Sequence, residues 1–138
     1  MVRRRVLSAI AAARERARRR RSETAEAETA FDSFLQHVAI PVTKQVAAAL
    51  KAEGLGFTVF TPADGLRLAS DNGRDDYIEF ALETASDRPH VIGRISRTRG
   101  SRTLTDERPI KADTPPAELT EDDVLTFLVD ALQPWLER

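Results

Sequence analysis

Apolar residues recur through the first half of the chain at helical spacing. Val2, Val6, Ile10, Ala13 and Ala17 lie three or four positions apart, and so do Phe31, Phe34, Leu35, Val38, Val42, Val46 and Ala49. At about 100° per residue both sets fall in one sector of roughly 120°, so the stripe keeps its phase from the first set into the second. The pattern predicts one long helix, or two stacked in register. Two features argue for a break within it. Thr29 and Asp32 have capping-box spacing, with aspartate in the glutamate position. Pro41 falls inside the second stripe, where it removes a hydrogen bond and disturbs the helix. Gly54 and Gly56 then supply the stop.

From Leu55 to Ile110 the period changes to two. Phe57 and Val59 alternate before the turn Pro62-Ala63-Asp64-Gly65, and Leu66 and Leu68 alternate after it. Asp71-Asn72-Gly73 marks the next turn. Ile78, Phe80 and Leu82 then share one face, with Tyr77, Glu79 and Ala81 on the other. Ser86-Asp87-Arg88-Pro89 interrupts the chain again. A strand from His90 to Arg99 turns at Gly100-Ser101 into a last strand ending near Pro109. Connections this short between strands imply an antiparallel meander of about five strands. After Asp113-Thr114-Pro115-Pro116, Thr120 caps a final helix whose first turn holds Glu121, Asp122 and Asp123. Its apolar stripe is Val124, Leu125, Leu128, Ala131, Leu132 and Trp135, and Pro134 frays or tightens the last turn.

The predicted fold class is therefore α+β: a kinked N-terminal helix, the meander, and a C-terminal helix, with the helices on one face of the sheet. Length sets a further constraint. A helix over residues 2–52 spans about 75 Å at 1.5 Å per residue, while a domain of this size is about 30–35 Å across. Its N-terminal part must project, fold back, or pack on another chain. Residues 1–28 accordingly read as a helical arm or extension, and 29–138 as a single α+β domain.

Composition narrows the chemistry. With 138 residues, 41% hydrophobic and 31% charged, the chain has the make-up of a soluble globular domain able to bury a core unaided. It contains no cysteine, which removes disulfides, thiolate catalysis and cysteine-ligated zinc and agrees with a reducing cytoplasm. No apolar run approaches the roughly 20 residues of a bilayer span. Arg14, Arg16 and Arg18 to Arg21 interrupt any secretory apolar region, and Glu23, Glu26 and Glu28 depart from the acid-poor composition of a transit peptide.

The net charge of −1 conceals an asymmetry. Residues 1–21 hold nine arginines (Arg3, Arg4, Arg5, Arg14, Arg16, Arg18, Arg19, Arg20 and Arg21) against Glu15, giving +8; the remainder holds 12 basic and 21 acidic residues, giving −9. A cationic arm on an acidic body is the strongest signal in the sequence. It suits a polyanion, with counterion release as the driving term, or less well an anionic membrane surface. The bland alternative is a solvated, frayed tail. No aromatic residue lies before Phe31, so the arm offers no stacking platform for single strands. A second basic cluster, Arg94, Arg97, Arg99, Arg102 and Arg108, lies on the last hairpin. A two-residue turn at Gly100-Ser101 would set Arg94 opposite Glu107 and Ile95 opposite Asp106, so that cross-strand pairing uses part of that charge.

Nothing specifies catalysis. Nucleotide-binding glycine motifs and a nucleophile elbow are missing, and His37 and His90 have no triad partner in sequence. Asp71, Asp75, Asp76 and Glu79 lack the spacing of a calcium loop, and Asp-Asn-Gly turn formation accounts for them. No catalytic, cofactor or metal residue is assigned, and no small-molecule ligand is indicated. The leading expectation is a non-enzymatic interaction module, adaptor or chaperone-like, meeting a protein partner or a second copy through Val2, Val6, Ile10, Phe31, Phe34, Leu35 and Val38. The competing expectation is nucleic-acid or other polyanion binding by the arm and the arginine hairpin.

Overall fold

The helical phase carried from Val2 into the body is realised as one continuous rod in the computed structural model, which describes residues 1–138. Helix α1 (Val2–Phe34) passes through a single π-helical turn (Leu35–Ala39) into α2 (Ile40–Ala52). The disturbance expected from Pro41 takes this form. Proline has no N–H to donate and its ring presses on the carbonyl one turn back, and the wider π turn just before it accommodates both. The break expected at Thr29 does not occur. The Thr29 hydroxyl donates to the Ala25 carbonyl at 3.1 Å, bonding back along an uninterrupted helix rather than capping a new one.

At its far end the rod closes with a Schellman motif. Gly54 sits at φ +84°, where its own N–H reaches the Lys51 carbonyl at 3.0 Å and that of Leu55 reaches Leu50 at 2.8 Å. Five strands follow in meander order: β1 (Phe57–Phe60), β2 (Leu66–Ser70), β3 (Tyr77–Glu83), β4 (His90–Arg99) and β5 (Arg102–Pro109), each antiparallel to the next. The register places Val59, Leu68, Ile78 and Ile95 side by side across four strands. These residues belong to the covered face. Over it lie α2, the end of α1, and the C-terminal helices α3 (Glu121–Ala131) and α4 (Gln133–Leu136). Pro134 lies in the first turn of α4, which follows a junction at Leu132.

Aromatic contacts fix the seat of α3 and α4. Phe127 meets Phe80 edge to face at 5.7 Å between ring centres, and Trp135 meets Phe57 in the same way at 5.9 Å. Phe127 is buried, whereas Leu125, expected in the stripe, is exposed. The shift is one of phase: Val124, Phe127, Leu128 and Ala131 follow the three-four spacing that faces the sheet, and Leu125 lies outside that sector. For the same reason α2 buries Leu50 rather than Ala49.

Gly93 makes room for this packing. It pairs with Phe80 across the strands, and a Cβ there would overlap the Phe127 ring. We expect Gly93→Ala to lower stability by about 1–3 kcal/mol through overpacking. Urea unfolding is the measurement, and adding Phe127→Leu should recover part of the loss, because the smaller side chain frees the overlapped space.

The start of α3 has the expected cap in full: Thr120 accepts from the Asp123 N–H at 3.2 Å, and the Asp123 carboxylate accepts from the Thr120 N–H at 2.9 Å. That backbone bond is the main force holding the Asp123 carboxyl below the usual aspartate range; burial opposes it, while the Thr120 hydroxyl and the Lys111 ammonium reinforce it. A carboxyl whose folded value is depressed contributes stability in full above its unfolded value and loses it as pH falls through the folded one. As pH falls below the ordinary aspartate value of about 4, the wild-type unfolding midpoint should therefore fall more steeply than that of Asp123→Asn.

Candidate functional site

Burial along α1 begins late. Residues 1–16 are all exposed, Ala17, Thr24, Ala27 and Ala30 are half-buried, and Phe31 is the first buried side chain. The N-terminal half therefore stands clear of the body, with Val2 74%, Val6 51%, Leu7 54% and Ile10 40% exposed. Phe31, Phe34 and Leu35, grouped with them as an interaction surface in the sequence, serve the domain core instead, with Val38 packed against it. Thus the stripe is one surface in phase and two in use.

Of the nine arm arginines, Arg18 forms two hydrogen bonds to Glu15 at 2.5 and 3.1 Å, and Arg19 approaches the same carboxylate at 4.0 Å. The Arg18 contact holds the Glu15 carboxyl below its ordinary value. The other seven arginines have no carboxylate partner within the chain.

The hairpin arginines are divided among three places. Arg99 and Arg102 face each other across the Gly100-Ser101 turn in solvent. Arg97 lies on the helix-covered side, where it lines a small cleft with Leu104, Asp106 and Asp130. Arg108, on the same side, binds Asp130 at 2.7 Å and lies over the Phe127 ring at 5.4 Å. Arg94 points to the opposite face and belongs to a ladder of alternating charge. Register sets Arg67, Glu79, Arg94 and Glu107 in one row across β2 to β5. Contacts of 2.5, 2.9 and 3.2 Å join them in sequence. Arg67 also lies 4.0 Å from the centre of the Tyr77 ring. The Arg94–Glu107 step follows from turn length alone. The Arg67–Glu79 step depends on the β2–β3 register, which the looser turn at Asp71–Asp76 left open in the sequence.

The remaining polar candidates are occupied structurally. Asp71 accepts from the Thr58 hydroxyl at 2.6 Å, and Asp76, buried, accepts from the Thr98 N–H at 2.7 Å. His37 lies on the exposed helix surface with Nδ1 3.0 Å from the Ser33 carbonyl. His90 Nδ1 lies 3.0 Å from the Arg88 carbonyl. An open groove of about 860 Å³ runs beside the base of the arm, bounded by α1, the β3–β4 turn and residues 109–117. Glu23, Glu26, Asp87 and Asp113 line it together with Arg88 and His90. The four carboxylates are exposed and none is hydrogen-bonded to His90, so the groove is acidic without the buried, oriented pairs of a proton-transfer site.

No helix is long and apolar enough to cross a membrane. In comparisons with known proteins, no family model, no curated protein and no solved structure matches the chain.

Glu79 is the least exposed member of the ladder, at 16% for its side chain, and lies between two arginines. Glu79→Ala leaves those guanidinium groups facing each other, and we expect a loss of about 1–2 kcal/mol. Glu107→Ala, at the exposed end of the row, should cost under about 0.5 kcal/mol. Chemical denaturation of the two variants checks the ranking, and added salt should narrow the gap between them.

Proposed function

We propose that the protein is a non-enzymatic interaction module, adaptor or chaperone-like, which pairs through the projecting half of α1. The supporting observation is the exposure of Val2, Val6 and Ile10 on a helix that leaves the body, in phase with a stripe that packs a core farther along, with Leu7 exposed beside them. An apolar strip held rigidly in water is a surface suited to a partner. The sheet and the C-terminal helices form the platform that holds it. A reducing compartment, the cytoplasm, accords with a chain that has no cysteine.

A second reading rests on a separate observation. Seven unpaired arginines along one exposed helix suit a phosphate-rich polymer. Against it, the hairpin arginines are dispersed or engaged, and the −9 remainder repels a phosphate backbone away from the arm.

The readings part under two measurements. Interaction through the apolar strip predicts that Val6→Asp with Ile10→Asp abolishes assembly seen in sedimentation while thermal unfolding of the body is unchanged. Polyanion binding predicts steeply salt-dependent, sequence-independent affinity for duplex DNA that the uncharged pair Val6→Ser with Ile10→Ser leaves nearly intact. Monomeric sedimentation of wild type and variant alike, with no arm-dependent complex, would remove the first reading.

A further inference from the structure

The arm carries charge in blocks, and their order restricts what can lie along it. Residues 3–5 are three arginines, residues 6–13 bear no charge, and residues 14–21 hold six arginines and Glu15. Glu23, Glu26 and Glu28 follow. Val6, Ala13, Arg20, Ala27 and Phe34 recur at sevens on α1, as do Ile10, Ala17, Thr24 and Phe31. Together the two series form a seam of alternate three- and four-residue steps, the pattern of a paired helix. Its outer part is uncovered, and its inner part packs the core.

Resting on the reading of the arm as an interaction surface, the geometry points to a second copy of this chain as the partner, with the two arms antiparallel and crossing between Ala13 and Arg14. In that register the block 14–21 of one copy lies along the uncharged block 6–13 of the other. Of the two series, the one through Ile10 is the one that meets: Ile10 lies opposite Ala17 of the second copy, a large side chain against a small one, at two symmetric places. Arg3, Arg4 and Arg5 arrive at the level of residues 22–24, beside Glu23 and Glu26. Those two carboxylates line the acidic groove at the base of the arm, where Asp87 and Asp113 add to the negative field. A parallel pair would instead set each arginine block against its own copy, with like charges opposed at residues 3–5 and again at 14–21. Charge order therefore selects both the partner's direction and its register.

The native chain has no cysteine, so direction can be read by disulfide formation on the full-length protein. A disulfide needs Cα atoms within about 7 Å. Residues 10 and 17 are about 10 Å apart along a helix. Under mild oxidation, Ile10→Cys mixed with Ala17→Cys should give a covalent dimer, whereas neither variant alone should. Cross-linking of each variant alone would overturn the antiparallel register while leaving arm-mediated pairing intact. Sedimentation of the wild type as a monomer up to about 100 µM would overturn the second copy as partner, and growth only on adding duplex DNA would do so in favour of the polyanion reading. A charge exchange gives an independent check. Arg3→Glu, Arg4→Glu and Arg5→Glu together should weaken the dimer about tenfold or more at low salt. Glu23→Arg with Glu26→Arg in the same chain should restore it; failure of restoration would overturn the proposed contact.

Discussion

Leu68, Ile78 and Ile95 stand next to one another on three successive strands, and with Leu66, Phe80 and Val91 they make a sheet face that is almost wholly removed from water. At roughly 25 cal/mol per Å² of apolar area, covering such a face is the largest favourable term open to a chain of this length. The meander cannot cover it, because its short turns keep every strand in one layer. The helices must. That requirement explains why α2 and α3 converge on one side, why both carry aliphatic stripes, and why the rod is anchored from Phe31 onward. Gly93 sets how closely α3 approaches, since the Phe127 ring occupies the space a side chain would take.

The other face of the sheet is kept open by charge. A row of Arg67, Glu79, Arg94 and Glu107 gives each interior member an opposite neighbour on both sides, which favours this strand order and register over a slip. Ser96, on the same face, donates to the Asp75 carbonyl, and Asp76 accepts from the Thr98 N–H at that end of the sheet. The consequence reaches the functional reading. Arg94 is held in the ladder and Arg108 between Asp130 and Phe127, so the hairpin presents no continuous basic surface. The densest run of unpaired arginines is the one on the arm.

Legibility followed the locality of each determinant. The hairpin register at Gly100-Ser101 was readable because two turn residues fix it, and it correctly set Arg94 against Glu107 and Ile95 against Asp106. The Thr120 cap and the Gly54 stop were readable for the same reason. Thr29 was misread because its hydroxyl has two local uses, capping a new helix or bonding back to Ala25, and the core contacts of Phe31 and Phe34 on the same rod decide between them. Leu125 and Phe127 differ by two positions on an apolar helix; the spacing of Val124, Leu128 and Ala131 already favours Phe127, and the gap above Gly93 is where its ring goes. The exposed strip and the arginine blocks of the arm were visible from periodicity and composition. That the arm stands free was not, since a projecting helix and one folded back along the body have the same sequence pattern.

The first turn of α1 is poorly suited to an isolated helix. It holds no acidic residue and no side-chain cap, and Arg3 to Arg5 lie at the positive end of the helix dipole. Alanine-rich sequence and continuation from an anchored segment offset this in part, because the body already supplies the nucleus from which the helix propagates. The unfavourable term remains at the tip, and carboxylates brought there from outside the arm would relieve it. Within one chain Glu15 is engaged by Arg18, and Glu23 and Glu26 sit about 30 Å away along the same axis, so none of the three reaches it. A second copy laid antiparallel carries its own Glu23 and Glu26 to that point. The same charge order that makes the tip costly alone thus favours it in a pair, and it ties the shape of the arm to the sign of what surrounds its base.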